Sequence, residues 1–286
     1  MRRTLLSVSL AALVVLIWPA IASAATNPGL GTAGNFAVLA GTTVTNTGPS
    51  WITGQLGVAP GCAVVGFPPG TSGVKHKCDA VAITAKTNLT AAYVNAAAQP
   101  CPGGNNFTGV NLGGKILVPG VYCQTTAPPL TGTLTLNGSG IYIFQIGSTL
   151  VTASGARVHL IGGAQPCQIF WQVSSSATIA TSTTMVGTIM ALTSIAMQTG
   201  ATLNGRALAR NGAVTLDTNR IIQPSGCGYA APSYVPPPAG NIFGAGNLGV
   251  PSELLGSFPW LLIVGIGAGV GATALGVSAR RRRRTA

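Results

Sequence analysis

TGATLNGRALARNGAVTL, residues 199–216, holds no acid, and its threonines and glycines return at a fixed distance on either side. Laying residues 181–204 over 199–222 places Thr181 on Thr199, Thr184 on Thr202, Met185 on Leu203, Gly187 on Gly205 and Met190 on Leu208. A further step carries Leu203 onto Ile221, so the period is eighteen residues. Such a unit is too short for a propeller blade and lacks the periodicity of helical repeats. It suits one turn of a three-sided parallel β-helix. Three short strands per turn would send Leu203, Ala207 and Val214 inward onto their counterparts in neighbouring turns, with glycine at corners that need positive φ. Residues 131–163 share the texture with a less regular period. The competing fold is a β-sandwich, whose strands also recur about every 8 to 12 residues.

One segment departs from this texture. In DAVAITAKTNLTAAYVNAAAQ, residues 79–99, Ala85, Leu89, Ala92 and Ala96 recur at helical spacing, Asp79 can cap the start and Pro100 stops it. A single long helix packed along the β-body is expected. The fold class is thus all-β with one long helix.

Charged residues make up 6% of the 286-residue chain, against about 25% in ordinary soluble domains. The formal charge of +12 invites a nucleic-acid reading until its sources are placed. Arg2, Arg3 and the run 280–284 supply seven cations, which leaves +5 for the middle of the chain. That remainder is dispersed, with few aromatics between, and lacks the clustered footprint of a nucleic-acid binder. No nucleic-acid partner is expected.

Residues 1–24 read as a secretory signal peptide: a basic start, an apolar run and small residues before a cut after Ala24. At the other end, residues 256–279 read as a transmembrane helix. Its stretch 260–279 is twenty residues without a charge, long enough to cross a bilayer. The cytoplasmic basic tail, 280–286, orients it by the positive-inside rule. Residues 230–255 form a Pro- and Gly-rich spacer and leave 25–229 as the displayed domain. The expected location is the extracellular side of the membrane, with one C-terminal anchor and a monomeric ectodomain.

Six cysteines suit three disulfides in a secreted chain, with fifteen pairings possible. The preferred set is Cys62 with Cys78, Cys101 with Cys123, and Cys167 with Cys227. No cysteine or histidine spacing suits a metal, and His76 and His159 lie far apart. Neither metal nor cofactor is expected. The carboxylates number three, Asp79, Asp217 and Glu253, too few for a positioned acid–base pair beyond a nominal His159–Asp217 combination. No nucleophile elbow, zinc motif or phosphate loop is present. Catalysis is not expected. Sequons at Asn88, Asn106 and Asn137 are frequent in any Thr-rich chain.

What remains is hydroxyl and methyl groups in register. Stacked turns would place Thr181 over Thr199 and Thr184 over Thr202 about 4.8 Å apart, forming ladders on a flat face. Methyls restrict the orientation of water while hydroxyls bond it, so such a lattice suits a crystalline ligand better than a flexible one.

Specific strings then carry a resemblance. FAVLAGTTVTNTGPSWITGQLGVAPG (36–61), GKILVPGVY (114–122), YIFQIGSTLVTASGARVHLIGGAQPCQIFWQV (142–173) and TGATLNGRALARNGAVTLDTN (199–219) resemble the DUF3494 family of microbial ice-binding proteins, over roughly residues 30–227. The resemblance implies an irregular right-handed β-helix of triangular section with a helix alongside, and N-terminal strands packed beside the C-terminal turns. It also implies adsorption to ice through a flat face bearing T-[AG]-x-[TN] steps. TGAT (199–202) fits that step; TASG (152–155), TSTT (181–184) and DTNR (217–220) depart from it. The expected ice-binding residues are Thr152, Ser154, Thr181, Thr183, Thr184, Thr199, Thr202 and Thr218, with the ice crystal surface as partner. The alternative is a cell-surface adhesive protein that uses the same scaffold on another solid or a polysaccharide.

Overall fold

A computed structural model of the chain describes residues 24–226. The expected signal peptide, spacer, membrane span and basic tail, together with Cys227, lie outside the described residues. Among the described residues, no helix is long and apolar enough to cross a membrane.

The eighteen-residue repeat is the pitch of a parallel β-helix. Strand Thr184–Ala191 pairs with Thr202–Ala209 in unbroken register, from Thr184 opposite Thr202 to Ala191 opposite Ala209, and Thr202 in turn lies opposite Arg220. Both long strands bend at a glycine, Gly187 over Gly205, so each serves two faces of the stack. Gly187 has φ +104°, and a Cβ on Gly205 would fall 1.8 Å from the Gly187 carbonyl oxygen. The corner therefore needs glycine twice, once for conformation and once for close approach. Upstream the offset widens because residues 162–168, with a 3-10 turn at Pro166–Gln168, are inserted between Arg157–Ile161 and Ile169–Val173.

Three faces result. A seven-stranded sheet runs Ala63–Val65, Thr43–Thr47, Val214–Asp217, Ile195–Met197, Ala177–Ile179, Leu150–Thr152 and Pro129–Leu130. A second face holds Thr133–Asn137, Arg157–Ile161, the first halves of the long strands, Arg220–Ile222 and Trp51–Thr53. The third contains Gly120–Gln124, Tyr142–Ile146, Ile169–Val173, the second halves of the long strands, Phe36–Ala40 and Gln55–Val58. Chain order and stacking order differ: Val38 lies opposite Ala207, Thr45 opposite Thr215 and Trp51 opposite Arg220, so the first strands of the domain complete its last turns.

Side chains stack inside as the repeat requires. Leu203 lies between Met185 and Ile221, Ala207 between Ile189 and Val38, and Val214 between Ile195 and Val44, all fully buried. Full burial of each large aliphatic contributes about 1.5–3 kcal/mol. In the early turns aromatic rings replace them: Phe107, Tyr122, Phe144 and Trp171 form a column with successive centroids 5.6, 5.5 and 4.0 Å apart. The Trp171 indole donates to the Val186 carbonyl at 2.9 Å, so its one polar atom is satisfied.

The helix spans Ala80–Ala97. Asp79 caps it by accepting from the Ala82 amide at 2.8 Å, and that bond holds the Asp79 carboxyl below its ordinary range. Ala85, Leu89, Ala92 and Ala96 are fully buried against Phe36, Leu39, Ile143, Phe170, Met190 and Leu208. Three of the four are alanine, which lets the helix lie close on the sheet. Lys86 fastens it by donating to the Ala209 and Arg210 carbonyls, and Gln145 donates to the Ala96 carbonyl at 2.9 Å. Disulfides Cys62–Cys78 and Cys101–Cys123 form as expected. The third expected pair includes Cys227, outside the described residues.

Candidate functional site

The helix covers one face of the stack, which leaves two that can meet a large ligand. They differ in chemistry. The face of Thr133–Asn137 and Trp51–Thr53 carries exposed Arg157, His159 and Arg220, and Trp51 is 50% exposed. The seven-stranded face carries a central outward column of Val65, Thr45, Thr215, Ala196, Thr178 and Val151, each opposite the next. Thr43, opposite Ala63, and Thr47, opposite Asp217, flank it. Rungs about 4.8 Å apart and outward positions about 6.6 Å apart along a strand make a grid of methyls and hydroxyls. Asp217 is the one ionisable residue in those seven strands.

The alternation that builds this grid is local. In Thr43–Thr47 the odd positions face solvent while Val44 and Asn46 are buried. Serines bordering the face are used between turns: Ser176 Oγ accepts from the Ser194 amide at 3.4 Å, and Ser194 Oγ accepts from the Ala213 amide at 3.2 Å. These bonds hold the border flat at no cost in exposed charge.

The threonine steps lie at the corner where the two open faces meet. Because Arg157, Thr184, Thr202 and Arg220 are successive partners, the equivalent four-residue steps are 154–157, 181–184, 199–202 and 217–220. The step expected at 152–155 is therefore displaced by two residues. At its second position every step turns left-handed: Gly155 φ +71°, Ser182 +56°, Gly200 +71° and Thr218 +51°. Glycine takes this conformation freely, whereas the β-branched Thr218 is strained there. The left-handed turn breaks the alternation of in and out, and it decides where each threonine points.

Ser154, Thr181, Thr199 and Thr218 are exposed at the corner, as expected. Their hydroxyls are largely committed: Thr199 donates to the Asp217 carboxylate, Thr218 donates to it at 3.0 Å, and Thr181 donates to Gln198 Oε1 at 3.5 Å. Thr184 and Thr202 are half-buried and belong to the other face, in the column of Arg157 and Arg220. Thr152 and Thr183 need correction, since they are 3% and 0% exposed and their hydroxyls meet inside the corner at 3.1 Å. The third position of each step points inward, where Thr183 shares a column with Ala201 and with Asn219, which is 2% exposed. The seven-stranded face also presents Thr43, Thr45, Thr178 and Thr215, which the expected set did not include. The alternating TVTNT carried that signal, but its strand lies far in sequence from the repeat.

Asp79 is spent on the helix cap and His76, at 2.8 Å, and Asp217 on the corner hydroxyls. No hydrogen bond joins His159 to Asp217, and no group of metal-ligating side chains occurs among the described residues.

A profile of the family described as ice-binding-like matches residues 38–222. A protein of Nostoc sp. (strain HG1) called ice-binding protein is 48% identical over 206 residues, covering 70% of this chain and 76% of that protein. One of Flavobacterium frigoris (strain PS1) with the same name is 36% identical over 210 residues, covering 68% and 76%. Among solved structures, an ice-binding protein from an Antarctic biological consortium superposes with a TM-score of 0.68 at 46% identity, covering 72% of this chain and 95% of the other. One from the Antarctic ascomycete Antarctomyces psychrotrophicus gives 0.67 at 38% identity, covering 70% and 99%.

Proposed function

Since the chain belongs to the ice-binding-like family, we propose that it adsorbs to ice, without catalysis or cofactor, through its seven-stranded face and the adjoining corner of Ser154, Thr181, Thr199 and Thr218. The observation that carries this reading is the outward column Thr45, Thr215, Ala196, Thr178 and Val151, in register and free of charge. A charged group holds its own hydration shell strongly, whereas methyls and single hydroxyls at a fixed pitch can share ordered water with a crystal. The covered face is occupied by the helix, and the arginine-bearing face lacks this uniformity.

The scaffold is a right-handed β-helix of triangular section acting as a monomer. Export by residues 1–24 and retention by a membrane helix within 256–279 would place the domain on the outer surface of the cell, which favours holding ice or shaping it nearby over lowering the freezing point of bulk fluid. The support for this placement is the sequence pattern of those segments.

Ice-affinity partition of residues 25–229 tests the core of the proposal. The domain is expected to enter growing ice and to slow recrystallisation; exclusion from ice together with unaltered recrystallisation overturns it.

A further inference from the structure

The face that ice does not suit has a regular chemistry of its own. Its outward column runs Thr133, Arg157, Thr184, Thr202, Arg220 and Trp51, each opposite the next. Arg157 and Arg220 are exposed and three rungs apart, about 14 Å at the usual strand spacing. The Arg220 guanidinium lies 4.8 Å from the centroid of the Trp51 ring, which is itself half exposed. The Arg157 guanidinium makes no hydrogen bond or ion pair among the described residues, its backbone amide alone donating, to the Gly132 carbonyl. His159 and Asn204 are exposed in the parallel column. Neither described carboxylate opposes these cations: Asp79 caps the helix, and Asp217 at the corner is held by Thr199 and Thr218.

We propose that this face binds an anionic polysaccharide, with uronate carboxylates as its charged groups, lying along the stack. Guanidinium groups recognise carboxylates in bidentate fashion, and Thr184, Thr202 and Asn204 supply donors and acceptors for sugar hydroxyls between them. Trp51, fixed by Arg220, offers an apolar ring face against which a sugar ring can rest. Two guanidiniums would neutralise too few phosphates to hold a nucleic acid well at ordinary salt, so the charge complementarity fits a polymer of sparser charge. The site goes beyond ice adsorption and shares no residue with the surface assigned to it. An exported domain with both surfaces would join ice to an acidic polysaccharide matrix.

The test uses the full-length protein immobilised on a biosensor, with alginate, neutral dextran and a DNA duplex as analytes. Alginate is expected to bind, to dissociate as salt is raised, and to bind at least tenfold more weakly to R157A/R220A and to W51A. Dextran is expected not to bind. K75A/K77A, which removes cations elsewhere, is expected to bind alginate as the parent does. All variants should still partition into ice, which reports folding and keeps this proposal separate from the ice reading. Absence of alginate binding, equal loss in K75A/K77A, or DNA binding as tight as alginate binding and lost in R157A/R220A would each overturn it.

Discussion

Thr152 and Thr183, in successive turns, hold their hydroxyls 3.1 Å apart inside the corner. The Ala180 amide donates to Thr152 at 2.9 Å, and Thr183 donates to the Ala153 carbonyl at 3.1 Å. Each hydroxyl has one proton, so Thr152 must be the donor to Thr183. The chain of bonds is complete, and both side chains are buried. Thr183→Val keeps the shape but strands the Thr152 proton, while the Ala153 carbonyl keeps its bond from the Ala156 amide, at a cost of about 1–3 kcal/mol. Chemical denaturation should show that loss while ice partition of the folded fraction is unchanged; a stable variant that fails to bind ice would return Thr183 to the surface role.

The two open faces can be separated by one bulky side chain each. Thr215→Tyr sets a ring in the middle of the seven-stranded column and should abolish ice shaping, with the melting temperature within a few degrees of the parent. Thr202→Tyr sets the same ring between Thr184 and Arg220 and should leave ice shaping intact. Single-crystal microscopy on the pair decides the matter, and the reverse pattern would move the ice surface to the arginine face.

Gly205→Ala tests the close approach at the bend. The added Cβ would lie 1.8 Å from the Gly187 carbonyl oxygen, and the contact is backbone, which cannot swing aside. Overpacking of this kind costs about 1–3 kcal/mol or more. Gly132→Ala, where nothing lies within 4 Å of the added carbon but φ is +86°, separates steric contact from backbone strain. The Gly205 variant should unfold at clearly lower denaturant than the Gly132 variant.

Burial pushes the Lys86 ammonium down to about 8, and the neighbouring Arg210 charge adds to the shift. The unfolded chain keeps the ordinary value of about 10.4. Between these values the unfolded state holds a proton that the folded state has released, so stability should rise with pH across that window. Below pH 8 both states are charged and this contribution is flat. Thermal scans from pH 7.5 to 10.5, comparing the parent with Lys86→Met, isolate it as a difference. A difference that falls with pH would contradict the assignment.

The repeat was legible because an eighteen-residue pitch puts identical residue types in register, and the helix because alanines at helical spacing stand between a capping Asp79 and Pro100. Which threonines the corner exposes was less legible for a physical reason. A single left-handed residue at Gly155, Ser182, Gly200 or Thr218 resets which neighbours point inward, so counting threonines along the corner mixes buried Thr152 and Thr183 with exposed Thr181 and Thr199. Thr43 and Thr45 depend on a pairing with Val214–Asp217 that crosses about 170 positions of sequence. Local periodicity carries no trace of such a contact; the family resemblance did.

That long-range pairing also sets the timetable of biosynthesis. Phe36–Ala40 emerges among the first strands of the domain, yet its partner on one side is Thr202–Ala209. Until the last turns exist, the opening strands have half their hydrogen-bonding edge unmet, and closure has to await almost the whole domain. The finished solenoid is consequently latched at its newest end by its oldest residues, and since the strands at the two ends of the stack, Lys75–Lys77 and Ile116–Leu117, are both interior to the chain, an added turn has to enter as an insertion.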